Sequence, residues 1–310
     1  MIDITALGEV LIDLTQTGTN EFGVPVFAAN PGGAPANVAV AASRLGASTA
    51  FIGKVGADGF GSYLTGVLQE NGVNVSGVKK DEAATTMAIV SVDASGERAF
   101  RFVRGADSLL TNEDVDLDII RNSRFLHCGA VSLTAPPARE STLYAAKKAK
   151  EMGVLVSYDP NYRPALWNSW EEASEWIKKP LPFTDVLKIS AEELPLVADT
   201  DDLEQGSTAL CQMGIHLVLV TLGSEGAFYR MGQNTGRIPG IKTKVADTNG
   251  AGDTFFGTVL HCLCKRSDGP MENLSVQELE EILTLANRAA SLTCSRSGAI
   301  PAMPTAAELL

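Results

Sequence analysis

The strongest constraint on the fold is a repeated change of hydrophobic period along the chain. Short apolar, β-rich runs end in polar or Gly residues, and longer helical patterns follow them. ITALGEVLID reads as a strand ending at Asp13, and ANVAVAASRLGA as a helix stopped by Gly46. TAFIGKVG reads as the next strand and FGSYLTGVLQENG as a helix stopped by Gly72. SRFLHCGAV, VLVSYDP, DVLKIS and HLVLVTLG read as buried strands, with helices such as ARESTLYAAKKAKEMG between them. Such alternation implies an α/β fold with a mostly parallel sheet covered on both faces. Right-handed crossovers then gather the loops that follow the strands along one edge, where ligands bind.

One region departs from this rhythm. TTMAIVSVDASGERAFRFVRG has two β-like runs around a DASGE turn and reads as an antiparallel hairpin. In its second run Arg98, Phe100, Phe102 and Arg104 fall on one face. LTQTGTNEFGVPVFAANPGG, after Asp13, is too irregular for a core crossover and can supply further strands of the same unit. The expectation is one large domain over residues 1–310 with a small discontinuous β lid at about 14–30 and 84–105. A Phe-bearing lid face is equally a candidate homodimer contact. Near the end, Ser275 and Glu278 have capping-box spacing before a long helix.

At 310 residues and 45% hydrophobic content, the chain can bury a large core. A formal net charge of −12 argues against a nucleic-acid partner and against an anionic membrane surface. MIDITALGEVLIDL has no basic n-region or small-residue cleavage pattern, and no apolar run is long enough to span a membrane. Five scattered cysteines without a CxxC fit a reduced, cytoplasmic protein. Cys262 and Cys264 would point to different faces of one helix, so a shared metal is not expected. There is no P-loop, no G-x-S-x-G and no H-E-x-x-H, and the three histidines have apolar neighbours that suit packing roles.

The stretch DTNGAGDTFFG carries the sharpest chemical signal. Gly250, Ala251 and Gly252 directly precede Asp253 and an apolar helical run. A helix start leaves backbone N–H groups unpaired and carries partial positive charge. Small residues there let an anion approach closely, which suits a phosphoryl group in flight. Asp253 could then accept a proton from a hydroxyl nucleophile. The plain alternative is an acid-bearing helix start after a Gly turn. NPGGAPAN is a second Gly-rich helix opening, with Gly32, Gly33 and Asn37 offering uncharged polar groups to a sugar. Asp13, on the ligand edge, could accept two sugar hydroxyls; a turn acid is its plain reading. DPNYRP places Asn161 and Arg163 after another strand, and KISAEE places Lys188, Ser190 and Glu193 after the next. An acid of KISAEE could hold magnesium through water; a solvated helix start is the alternative.

Together these stretches resemble the ribokinase-like PfkB family of carbohydrate kinases and, within it, the fructokinases. PGGAPANVAVAASRLGA with FIGKVGADGFG, and DTNGAGDTFFG, carry the resemblance. DPNYRPALW, TLGSEGAFY and RSGAIPAMP support it in the family's order, so it spans essentially the whole chain. The resemblance implies a Rossmann-like core, a β lid and ATP-dependent phosphorylation of a sugar hydroxyl. It implies Asp253 as base and Gly250, Ala251 and Gly252 as anion hole. Asp13, Gly33 and Asn37 match the sugar positions, and Thr221, Gly223 and Gly226 the nucleotide loop, while Asn287 would flank adenine. Lys188 is assigned to the cofactor side. The family's magnesium motif Asn-x-x-Glu reads Ser190-Ala191-Glu192-Glu193 here, so Glu193 alone remains, acting through water. Many relatives hold a monovalent cation beside the second Gly turn, where Asn249 stands in place of the usual Thr, Val or Ala.

Fructose, giving fructose 6-phosphate, is the expected substrate. Arg104 and Arg163 could instead grip a carboxylate bidentately, which would suit 2-keto-3-deoxygluconate. A non-catalytic sugar sensor or assembly subunit on the same fold is the alternative of a different class.

Overall fold

A computed structural model describes residues 1–92 and 98–309. The chain opens with β1 (Ile2–Leu7), leaves the main layer for β2 (Leu11–Thr19) and β3 (Pro25–Gly32), and returns through α1 (Ala34–Arg44). Then come β4 (Thr49–Gly56), α2 (Gly59–Glu70) and β5 (Val73–Asp81), and a second excursion through β6 (Met87–Val92) and β7 (Arg98–Val103). Regular alternation resumes with α3 (Leu117–Arg121), β8 (Ser123–Gly129), α4 (Ala138–Glu151), β9 (Leu155–Asp159), α5 (Trp170–Ile177) and β10 (Val186–Ser190). α6 (Leu194–Ala198), α7 (Leu203–Gln212), β11 (Leu217–Thr221), β12 (Gly226–Met231) and β13 (Asn234–Pro239) precede α8 (Ala251–Lys265), α9 (Val276–Cys294) and α10 (Ala306–Leu309).

The large sheet has the order β13-β12-β11-β10-β9-β8-β1-β4-β5. It is parallel from β5 to β11, as the alternation requires, and β12 and β13 add an antiparallel edge. From β1 the chain first builds β4 and β5 on one side, then β8 onward on the other. The β1/β8 boundary is therefore the switch point, where the loops after the strands part and leave a crevice.

ITALGEVLID is not one strand. Leu7 still pairs with Ile52 and Cys128 in the large sheet, whereas Leu11 and Asp13 pair with Gly32 and Asn30 in the small one. The break falls at Gly8, where a Cβ would lie 2.7 Å from Pro35 Cγ. Asp13 consequently sits inside β2 rather than at the end of the first core strand. The small sheet has the order β3-β2-β6-β7, with β2 and β6 parallel and the other pairs antiparallel. β6 and β7 form the expected hairpin; its DASGE turn at 93–97 lies outside the described residues, as do the side chains of Arg98 and Phe100. The β12–β13 hairpin was not expected from sequence, although Gly232, at φ 61°, with Gln233 makes a two-residue turn between β-capable runs.

Helices α1 and α8 cross over the sheet in direct contact. Gly257 permits this, since a Cβ there would stand 2.8 Å from both Ala41 Cβ and the Val38 carbonyl oxygen. Phe255, Phe256 and Val259 of α8 share one buried cluster with Val38 and Ala42 of α1. Ser275 and Glu278 form the expected capping box of α9. All five cysteines are free, and Cys264 is buried while Cys262 is only partly so. Among the described residues no helix is long and apolar enough to cross a membrane.

Candidate active site

The close α1–α8 packing has a chemical consequence at the mouth of α8. Asn37, in the first turns of α1, donates its amide N–H to Asp253 Oδ2 at 2.8 Å. Asn161, in the loop after β9, donates to the other oxygen, Oδ1, at 3.1 Å. Asp253 is thus held by two neutral amides from two separate elements. Burial, reinforced by the charge of Asp159, raises its carboxyl to about 6 against the bond from Asn37 and the charges of Lys188 and Arg163. A carboxylate so raised remains ionised at neutral pH and is a better proton acceptor than an ordinary Asp.

The turn before it has the geometry of an anion cradle. Gly250 is left-handed at φ 75° and precedes the first residue of α8. A Cβ on it would press on Ala299 Cβ at 2.9 Å. At Gly252 a Cβ would lie 3.0 Å from Lys188 Nζ. The glycine therefore allows the lysine to stand against the helix start. Lys188 is itself buried and paired with Asp159 Oδ2 at 2.8 Å. Burial pulls the ammonium pKa down, but Asp159, Glu193 and Asp253 outweigh it and raise the group. Upstream, Asp247 accepts from Asn249 N and Gly298 N, each at 3.1 Å, tying the DTNGAGD turn to RSGAIP.

The residues expected to meet a sugar converge from the small sheet and α1. Asp13 is raised to about 6 by burial, opposed by the Arg163 charge and reinforced by Asp253 and Asp247. Gly32 gives it room, since a Cβ there would overlap Asp13 Oδ2. Gly33, at φ 109°, begins α1 where a Cβ would strike the Glu9 carbonyl oxygen at 2.5 Å. Arg163 is exposed, donates to the Asn161 and Tyr162 carbonyls, and acts electrostatically on both Asp13 and Asp253. Arg104, expected as a substrate contact, has its guanidinium engaged by the protein. Its guanidinium is paired with Asp107 at 2.8 Å and donates to Val131 O and Thr134 Oγ1. It thereby ties the end of β7 to the turn after β8.

A cleft of about 580 Å³ is lined by Thr221, Gly223, Gly226, Ala251, Gly252 and Asn287, the residues expected to meet a nucleotide among them. It runs from the loop after β11 to the anion cradle. Gly226 has a structural reason as well, because a Cβ would overlap the Ile238 carbonyl oxygen. Asn287 does not offer a free amide. It donates to Ile238 O and Pro239 O at 3.3 and 3.1 Å and fastens α9 to the end of β13. Glu193 is likewise occupied: Tyr162 N and Ser190 N donate to its two oxygens at 2.5 and 2.7 Å. Burial and Asp159 raise its carboxyl, against Lys188. Such a donor set fits a divalent ion met through water rather than by direct ligation. Among the described residues no three His, Cys, Asp or Glu side chains cluster as a metal cage.

Two participants escape the sequence reading. Asp159 links Lys188 to Asn161, whose N–H it accepts at 3.1 Å, and so supports both sides of Asp253. As an acid ending a strand on the ligand edge, it meets the same rule that selects Asp13. Glu9 lies buried behind Gly33, and its sequence neighbours give no signal of that.

The pfkB family carbohydrate kinase model matches residues 1–306. The chain is 41% identical to Probable fructokinase-4 of Arabidopsis thaliana, covering 99% of this chain and 95% of that protein. Fructokinase with bound ATP from Xylella fastidiosa superposes with a TM-score of 0.92 at 32% identity, over 99% of this chain and 96% of that one. Fructokinase from Vibrio cholerae O395, in a form with fructose, ADP and calcium ion bound, gives a TM-score of 0.89 at 33% identity, over 100% and 98% of the chains. With the switch-point crevice, the anion cradle and these likenesses in agreement, the chain belongs to the PfkB family of carbohydrate kinases.

Proposed function

We propose that the chain is an ATP-dependent fructokinase that makes fructose 6-phosphate. The observation that carries the reading is Asp253, held by Asn37 and Asn161 at the start of α8 between the sugar-side turn and the nucleotide cleft. The fructokinases similar over the whole chain, one with ATP and one with fructose and ADP, supply the substrate pair.

Fructose lies between Asp13, Gly32, Gly33 and Asn37, with the small sheet as its lid, and turns a primary hydroxyl to Asp253. As the oxygen attacks the γ-phosphorus in line, its proton passes to the Asp253 carboxylate while the bond to ADP breaks. The N–H groups of the Gly250–Gly252 turn and the Lys188 ammonium meet the charge on the transferring group. Glu193 and Asp159 would hold a magnesium ion through water, and that ion would supply neutralisation of phosphate charge. The lid excludes water that would otherwise take the phosphoryl group. The keto-deoxy acid alternative loses support, because Arg104 is already paired and leaves Arg163 alone.

Because Asp253 must be ionised, activity is lost on the acid side. kcat/KM for fructose is expected to rise with pH through about 6, the value to which burial raises Asp253 and Asp13. A profile flat from about pH 5 to 8 would contradict the role of Asp253, and initial rates across that range decide it.

The exposed apolar side chains Phe22, Val24, Val26 and Phe27 support a homodimer joined through the lids. Sedimentation equilibrium reads this directly, and a monomer at micromolar concentration would remove it. For the reaction itself, ADP release is followed with magnesium-ATP against fructose, 2-keto-3-deoxygluconate, ribose, glucose and a nucleoside. Fructose is expected to be turned over best. Turnover of the keto-deoxy acid alone would overturn the substrate, and thermal shifts without turnover would favour the sensor reading.

A further inference from the structure

Where the chain passes between the two sheets, its crossings gather around one buried carboxyl group. Glu9 lies between β1 and β2, where the chain first leaves the large sheet, and is 2% exposed. Its Oε1 accepts the Ala34 N–H at 3.0 Å, holding the first residue of α1. Its backbone carbonyl closes on Gly33, where any Cβ would come within 2.5 Å. The charges that act on its carboxyl are Asp107 and Arg104, which lie where the chain returns from β7. Asp107 in turn accepts from Thr86, just ahead of β6, and Thr86 Oγ1 accepts the Gly105 N–H at 2.6 Å. Oε2 of Glu9 is buried and has no hydrogen-bond partner. An unpartnered buried carboxyl oxygen is costly and persists where a position demands it.

We infer that Glu9 is a positioning residue for the sugar subsite, acting through Ala34 to set the Gly32–Gly33 turn and α1 against the small sheet. This rests on the fructokinase reading. α1 carries Asn37, which donates to Asp253 Oδ2 and, in the fructokinase reading, faces the sugar. A displacement of the α1 start is therefore felt at the sugar, while the nucleotide cleft is lined by other elements. What Glu9 supplies is reach: its carboxyl spans from the sheet joint to the helix start.

Two substitutions separate reach from charge. Glu9→Gln keeps an acceptor oxygen at the same distance without charge. Glu9→Asp keeps the carboxyl group but withdraws the oxygens by one methylene. In steady-state assays with fructose and ATP, Glu9→Asp is expected to raise KM for fructose about tenfold, because small misplacements at a reacting site have large effects. Glu9→Gln should stay within about threefold of the unsubstituted enzyme, a smaller change by the same positional reasoning. KM for ATP should be unmoved in both, and thermal melts establish that each variant is folded. Glu9→Asp near the unsubstituted KM, or fructose and ATP KM rising together, would overturn the inference. Absence of fructose turnover in the unsubstituted enzyme would instead overturn the fructokinase reading.

Discussion

Asp253→Asn is expected to lose at least about a thousandfold in kcat, the upper part of the range for removing a general base. KM for fructose and ATP should change little. The substitution is nearly isosteric, and the site can absorb the new N–H₂ group. Asn37 donates to Asp253 Oδ2, while its own Oδ1 has no partner. Turning the Asn37 amide over would let it accept from the introduced side chain instead of donating to it. Isothermal titration of the variant with fructose and with a non-hydrolysable ATP analogue checks retained binding. Rapid-quench kinetics checks that the chemical step is the one lost. Near-normal turnover in Asp253→Asn would remove the base from the account.

Lys188→Met is expected to be costly in two separable ways. Asp159 would be left buried at 1% exposure with its cation gone. Breaking a buried pair on one side typically destabilises by about 3–5 kcal/mol, which urea denaturation would read as a lower midpoint. Activity should fall about a hundredfold or more, because a preorganised positive group at the anion cradle is lost. Adding Asp159→Asn to the variant removes the orphaned charge. Stability should then return in large part while kcat stays low. Recovery of activity together with stability would mean that Lys188 only balances Asp159 and does not serve the phosphoryl group.

The parts of the molecule that are legible in sequence are those set by local rules. Parallel strands buried on both faces read as apolar runs, and helix starts after Gly turns mark themselves by composition. This is why Gly250–Asp253 and Gly32–Asn37 stand out in the bare sequence. The rest is tertiary. Nothing in GEVLID separates a strand that continues from one that breaks at Gly8 and changes sheet; the close approach of Pro35, which leaves no room for a Cβ at Gly8, comes from beyond the β2–β3 excursion. Arg104 resembles a ligand because it is basic and near the lid, yet Asp107 and the Val131 carbonyl engage its guanidinium. Asn287 does line the cleft beside Thr221 and Gly252, but its amide serves the backbone of β13. Hydrogen-bond commitments of this kind depend on partners far away in sequence, and no periodicity reports them.

In the proposed reaction the base, the cradle and the sugar turn meet at one point, and a hydroxyl of fructose receives the phosphoryl group there. The most direct test is phosphorus NMR of the reaction of purified protein with fructose and magnesium-ATP. Fructose 6-phosphate and ADP are expected in equal amounts, with no inorganic phosphate beyond the background without enzyme. Inorganic phosphate and ADP in place of a sugar phosphate, or a phosphate on another hydroxyl, would contradict the proposed reaction.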